Sequence, residues 1–336
     1  KRLCPDVPSE HPAVGSMTLN IAANWLGLGN AATPFGIKAM EQLQELNPEK
    51  ETATNAMIMF LALNTASITL VPMTIIGVRA SLGSSDPGAI ISATIFASSM
   101  ATISAIAAVK FFSLFSAAQP AKAASWWPCL LLVVFLLAIA LLGVFLGLFS
   151  KVASLLPFSC RSMFSFISTW MIPVLLLVIP SLALIKKVHV YEVFIEGAKE
   201  GFQVAIRIIP FLVAILAAIA MFRASGAMDF FITLLSPLTD LIGMPAEVLP
   251  AALMRPLSGS GTLGIITELL ENHGPDSFIG YLASTIYGCT ETTFYVIAVY
   301  FGAVGIKKTR YAIAAGLFAD AIGILAALFI CRLLFS

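Results

Sequence analysis

The chain has 336 residues, of which 59% are hydrophobic and 11% charged, with a formal net charge of +1. Soluble domains carry roughly 25% charged residues, so the composition excludes an ordinary soluble domain, and a balanced charge leaves no footprint for nucleic acid. The five cysteines (Cys4, Cys129, Cys160, Cys289, Cys331) are scattered without a CxxC pair and the three histidines are isolated, so neither a disulfide framework, a metal site nor another cofactor is expected.

The chain opens on Lys1-Arg2-Leu3-Cys4-Pro5, which reads like the interior of a protein and leads to the expectation of a processed or trimmed chain. Residues 12–37 are apolar but punctuated by Asn20, Asn24, Gly27, Gly29, Asn30, Thr33 and Pro34. Spanning candidates follow at 53–78, 88–109, 126–149, 164–185 and 203–222, the third opened by Trp126 and Trp127 as interfacial aromatics. Glu192, Glu196, Lys199 and Glu200 recur at helical intervals and read as the solvated face of an interfacial segment. Residues 227–243 form an amphipathic piece too short to cross, and 246–271 are again apolar but broken by Arg255-Pro256-Leu257-Ser258-Gly259-Ser260-Gly261-Thr262. Candidates at 276–300 and 310–331 complete seven spans.

Interruptions at membrane depth are tolerated only where protein or a water-filled cavity satisfies the freed backbone groups. A pair of them in comparable places points to a transporter built from internal repeats. A gap-free offset of 221 lays Ala62–Val109 on Ala283–Ile330, placing Thr69 on Thr290 and Ser99 on Asp320. The expected fold is therefore all-α: a polytopic integral membrane protein of about seven spanning helices plus broken or re-entrant helices, organised as two inverted repeats. Lys307, Lys308 and Arg310 then mark a cytoplasmic loop together with Lys110, Lys122, Lys186 and Lys187, with Arg79, Lys151 and Arg161 on the other side.

Glu291 carries the strongest chemical signal, because the stretch from Phe278 to Ile306 has no other charged residue. A carboxyl inside a membrane costs a few kcal/mol, so a functional role is the default reading. Glu291 suits cation or proton binding or a solute amine or hydroxyl; the plainer reading is a structural pair with Arg255. Arg255 precedes Pro256, which disfavours continued helix. Ser258, Ser260 and Thr262 offer hydroxyls beside a helix predicted to restart near Thr262, whose free N–H groups would face an anion; the plainer reading is a glycine-lined packing break. Asn20, Asn24, Asn30 and Thr33 are the first-half counterpart, with Asn20 and Asn24 on one helix face. Their amides suit hydroxylated or base-like ligands or Na⁺, or else interhelical hydrogen bonds worth about 0.6 kcal/mol each. Asn64, with Ser67 and Thr69, extends that group. Asp320, midway along 310–331, either shares a proton with Glu291 or pairs with a helix hydroxyl. Thr290 and Thr292 flank Glu291.

Several long motifs carry a resemblance. Asn20-Ile21-Ala22-Ala23-Asn24-Trp25-Leu26-Gly27-Leu28-Gly29-Asn30-Ala31-Ala32-Thr33-Pro34, followed by Gly36-Ile37-Lys38-Ala39-Met40, resembles the signature of the spore maturation protein A family. Val190-Tyr191-Glu192-Val193-Phe194-Ile195-Glu196-Gly197-Ala198-Lys199-Glu200-Gly201-Phe202, Arg255-Pro256-Leu257-Ser258-Gly259-Ser260-Gly261 and Tyr287-Gly288-Cys289-Thr290-Glu291-Thr292-Thr293-Phe294-Tyr295 resemble spore maturation protein B. The resemblance implies a fusion, residues 1–155 being A-like and 156–336 B-like with the seam near 150–162, and about two further helices ahead of the A-like part. Both halves resemble the nucleoside-recognition Gate family, similar to parts of concentrative nucleoside transporters and of a ferrous-iron transporter. What this implies is a multi-pass protein of the bacterial inner membrane with a gate-like, solute-translocating core.

The expected function is secondary transport of a small polar solute at the midplane between two Gate-type repeats, coupled to Na⁺ or H⁺ through Glu291 and Asp320. The expected partners are the lipid bilayer, the solute and, as an open option, further copies of the chain. The alternative is a non-transporting scaffold for spore or peptidoglycan maturation. An enzyme is not expected, because HExxH and GxSxG are absent and the carboxyls lack catalytic spacing.

Overall fold

Helix ends in this chain are written in its proline, serine and threonine positions, and the computed structural model follows them. It describes residues 3–27, 32–115, 158–199 and 242–335, with scattered positions between 202 and 239. Helix α1 (Pro12–Trp25) starts on a proline, and the His11 ring accepts the Ala13 N–H ahead of it. It forms a hairpin with α2 (Thr33–Glu45). Thr54 caps α3 (Asn55–Thr65) by accepting the Met57 N–H. The chain continues through α4 (Met73–Ser81), a 3₁₀ turn (Pro87–Ile90), α5 (Ile91–Phe115) and α6 (Phe158–Ile185). A second hairpin pairs α7 (Leu249–Met254) with α8 (Gly259–His273), followed by α9 (Phe278–Cys289), α10 (Thr293–Ala303) and α11 (Ala312–Phe335). The described residues form no strand, only a lone bridge between Thr52 and Lys308.

Two predicted spans are not continuous. Residues 53–78 divide into α3 and α4 around a non-helical segment at 66–72, and 276–300 divide into α9 and α10 at Thr290–Thr292. The first break follows from Pro72, which lacks an N–H and pushes the residue before it out of the helical region. At the second, Thr290 (φ −137°, ψ 163°) and Thr292 (φ −80°, ψ 95°) are extended. Three β-branched threonines among four residues weaken helix there. Among the described residues, Pro87–Leu114 (28 residues) and Ala312–Phe335 (24 residues) are the two helices long and apolar enough to cross a membrane. Of the seven predicted spans, 53–78 and 276–300 are therefore each interrupted within the described residues. The predicted span 164–185 falls within α6; 126–149, and all but scattered positions of 203–222 and 227–243, lie outside the described residues.

At the offset of 221, α3, α4 and α5 fall on α9, α10 and α11, every boundary agreeing within three residues. The loops pair accordingly. The Lys307 and Lys308 N–H groups both donate to the Glu51 carbonyl (2.9 Å each), so α3 begins where α10 ends. At the opposite end Asp276, just before α9, meets Arg79 at the end of α4. Phe112 packs on Tyr311, which puts Lys110 at the same end as Lys307 and Arg310, away from Arg79. Helices α5 and α11 lie side by side, with Ala101 against Gly323. Small residues permit such close approach, which matters where lipid removes the usual hydrophobic drive between helices.

Candidate functional site

The two breaks meet. The Glu291 N–H donates to the Thr65 carbonyl at the end of α3 (2.8 Å), joining the interruption of one half to that of the other. Each break is also held by its own hairpin. The Leu70 N–H donates to Trp25 O (3.0 Å) and the Phe294 N–H to Pro256 O (3.0 Å). The long helices supply the remaining partners: Thr69 N–H donates to Ser98 Oγ (3.2 Å), and the Thr102 hydroxyl donates to Ala66 O. These backbone groups freed by the breaks are thus satisfied by protein, the condition for irregular chain at membrane depth.

Arg255 is the main clamp of the second break. Its guanidinium donates to the Thr290 carbonyl and to Thr292 Oγ1 (3.5 Å), and lies over the Tyr287 ring with Cζ 4.5 Å from the centroid. A Glu291 oxygen is 3.7 Å from Nη2, but the two side chains differ sharply in exposure, 4% for Arg255 and 52% for Glu291. Arg255 is therefore an internal strut, and Glu291 is fixed through its backbone while its carboxylate faces open space. Gly259 admits this arrangement, since a Cβ there would meet Thr292 Oγ1 at 2.9 Å.

Helix α8 restarts at Gly259, three residues earlier than the predicted Thr262. Ser258 is extended (φ −150°, ψ 115°) and its hydroxyl caps the helix by accepting the Gly261 N–H (3.1 Å). Thr262 Oγ1 donates back to Ser258 O (2.7 Å), and Ser260 Oγ lies 3.4 Å from Ser258 Oγ. The helix start expected to face an anion thus has part of its first turn occupied by its own serine.

The amides expected to act in the first half are brought together. Asn20 Nδ2 donates to Ala32 O (2.8 Å) and lies 3.1 Å from Tyr300 Oη. Asn24 Nδ2 donates to Asn64 Oδ1 (2.9 Å), and the Tyr300 hydroxyl donates to the same oxygen (3.3 Å). Asn64 Nδ2 returns to Phe60 O (2.9 Å). Gly36 makes room for Tyr300, whose hydroxyl would collide with any Cβ at that position. Thr33 is the half-buried first residue of α2, and Asn30 lies outside the described residues. Asp320 is buried on α11 between Gly316 and Gly323; Thr293 Oγ1 donates to its Oδ2 (2.6 Å), so its hydrogen-bond partner is the helix hydroxyl and not Glu291.

Sequence reasoning missed Tyr300, Tyr287, Thr293 and the Thr65 carbonyl. An aromatic hydroxyl late in an apolar run reads as interfacial, and a main-chain acceptor has no residue signature. Tyr300→Phe removes the hydroxyl that bridges Asn20 and Asn64, and is expected to cost about 1 kcal/mol with the fold retained, measured by thermal unfolding in detergent. An unchanged midpoint would remove Tyr300 from the network.

The Gate family, described as nucleoside recognition, matches residues 205–307. Spore maturation protein B of Bacillus subtilis (strain 168) is 53% identical over 172 residues, which is 51% of this chain and 97% of that protein. Spore maturation protein A of the same organism is 48% identical over 111 residues, 33% of this chain, and the chain spans 57% of that protein's length. No solved structure matches. The two matches cover different regions of the chain. Identity of 53% across nearly all of one relative, beside a separate region matching the other, shows that the chain belongs to the spore maturation protein family, with B-type and A-type regions in one polypeptide.

Proposed function

We propose that the chain is a secondary transporter of a small polar solute, its site lying where the two broken helices meet, beside Trp25 and Pro256. The observation that carries this is the Glu291–Thr65 bond between the breaks, with a half-exposed carboxylate beside it. The loop pairings support two inverted repeats, since α3–α4 and α9–α10 run between the same two ends in opposite directions. Lys307, Lys308, Arg310 and Lys110 gather at one end, which by the positive-inside rule supports reading that end as the cytoplasmic side of the bacterial inner membrane. Glu291 and Asp320 are the carboxyls available to couple movement to H⁺ or Na⁺.

Reconstitution into proteoliposomes tests the proposal. Glu291→Gln keeps the backbone bond to Thr65, so it is expected to leave unfolding unchanged and to reduce flux at least tenfold. A different reading is favoured by the relatives' name, spore maturation: a scaffold without transport. It predicts no flux from the wild-type chain, tolerance of Glu291→Gln in cells, and a protein partner recovered by crosslinking.

A further inference from the structure

The hydrogen-bonding groups around the crossing of the breaks are unequally occupied, and the inequality has a sign. Most donors are engaged within the protein. Asn20 Nδ2, Asn24 Nδ2, Asn64 Nδ2 and the Tyr300 hydroxyl all hold one another or main-chain carbonyls. Both terminal nitrogens of Arg255 are bonded, and its plane is covered by Tyr287. Acceptors are left over. Among the described residues, buried Asn20 Oδ1 and Asp320 Oδ1 have no hydrogen-bond partner, and the exposed Glu291 carboxylate has only Arg255, at 3.7 Å. Of the other unpartnered groups here, Ser67 Oγ and Thr290 Oγ1 can donate or accept, and the one leftover donor among them, Arg255 Nε, is buried with the rest of its side chain.

We infer that the solute presents a positively charged donor group, a protonated amine, to Glu291; this rests on the transport-site reading above. An ammonium makes charge-assisted hydrogen bonds to a carboxylate, roughly twice as strong as neutral ones. An anionic group would face a like charge at Glu291 with no uncommitted guanidinium in the described residues to offset it. The charge also lies on one side. The offset of 221 places Leu70 opposite Glu291, so the first half meets the solute without an acidic counterpart at that position.

Matched probes test this on the purified full chain in detergent. On one skeleton these are 1,4-diaminobutane, 1,4-butanediol and succinate; on another, 5′-amino-5′-deoxyadenosine, adenosine and adenosine 5′-carboxylic acid. Thermal-shift titration is expected to show an amine binding at least tenfold tighter than the carboxylate on the same skeleton. Glu291→Gln is expected to abolish the preference, and Glu291→Asp, which keeps the charge, to retain part of it. No amine preference on either skeleton, or one that survives Glu291→Gln, overturns the inference. Proteoliposome flux separates the two readings. An amine that binds through Glu291 without being moved refutes transport and leaves the inference standing, whereas movement of the carboxylate alone does the reverse.

Discussion

Arg255→Ala is expected to lower stability by about 3 kcal/mol, from an orphaned buried carbonyl and a lost cation–π contact. The carbonyl is that of Thr290, which Arg255 holds while stacked on Tyr287. Little of the loss comes from Glu291, whose half-exposed carboxylate 3.7 Å away forms a weak pair. Glu291→Gln is accordingly expected to change stability by less than about 1 kcal/mol. Arg255→Lys keeps the charge but cannot reach Thr290 and Thr292 together while covering Tyr287, so it should recover at most half of the loss. Denaturant or thermal unfolding in detergent gives all three values. Equal losses for Arg255→Ala and Glu291→Gln would show that the ion pair, and not the carbonyl clamp, holds the break.

Arg79→Met is expected to cost about 3–5 kcal/mol, because three main-chain carbonyls lose the buried guanidinium that satisfies them, at about 1–3 kcal/mol each. Its side chain is fully buried, donating to Pro87 O (3.3 Å), Pro275 O (2.5 Å), Asp86 O (3.3 Å), Ser84 Oγ (3.1 Å) and Asp276 Oδ1 (3.0 Å). The cluster joins the loop after α4 to the loop before α9. At the other end the corresponding junction is held by backbone bonds and an exposed Lys307–Glu51 pair (2.6 Å), which contributes little.

The same cluster predicts a pH dependence. Burial pushes the Asp276 carboxyl up, but hydrogen bonds from Ser84, the Ser85 N–H and the Ser85 hydroxyl, together with Arg79, outweigh it and hold the carboxyl below its ordinary value of 3.8. A carboxyl depressed in the folded state adds stability that is fully present above the unfolded value and disappears as pH falls through the folded one. The wild-type chain should therefore lose this contribution only below about pH 4. Asp276→Asn should be less stable at neutral pH and show a flatter acid limb. An acid limb of the same slope in both would show that Asp276 does not supply it.

Much of the site was legible in residue types. Glu291, Arg255, Asn20, Asn24 and Asn64 stand out because polar groups in apolar segments are costly, and the structure gathers them around α3 and the second break. The first break was marked in sequence only by Pro72 at its far end. Residues 66–72 include Ile68, Leu70 and Val71, so hydropathy runs through it undisturbed, and only the packing of Trp25, Ser98 and Thr102 reveals where the backbone bonds go. The helix restart at Gly259 was placed late for a similar reason. A serine can cap a helix or line a site, and the choice depends on the backbone angle it adopts.

By itself the sequence determined that this is an all-α membrane chain of the spore maturation kind, with two interrupted hairpin regions and a carboxyl where a span's middle should be. Hydropathy and motif spacing are local properties, and they carry that much. The tertiary structure decided which polar groups are occupied and which are free. Arg255 and Glu291 read in sequence either as binding residues or as a structural pair; in the structure Arg255 is a buried strut on the Thr290 carbonyl, and Glu291 is held by its N–H with a half-exposed carboxylate 3.7 Å from it. Hydrogen-bond satisfaction is settled between segments hundreds of residues apart, as Asn20 with Tyr300 shows, and no local pattern records it.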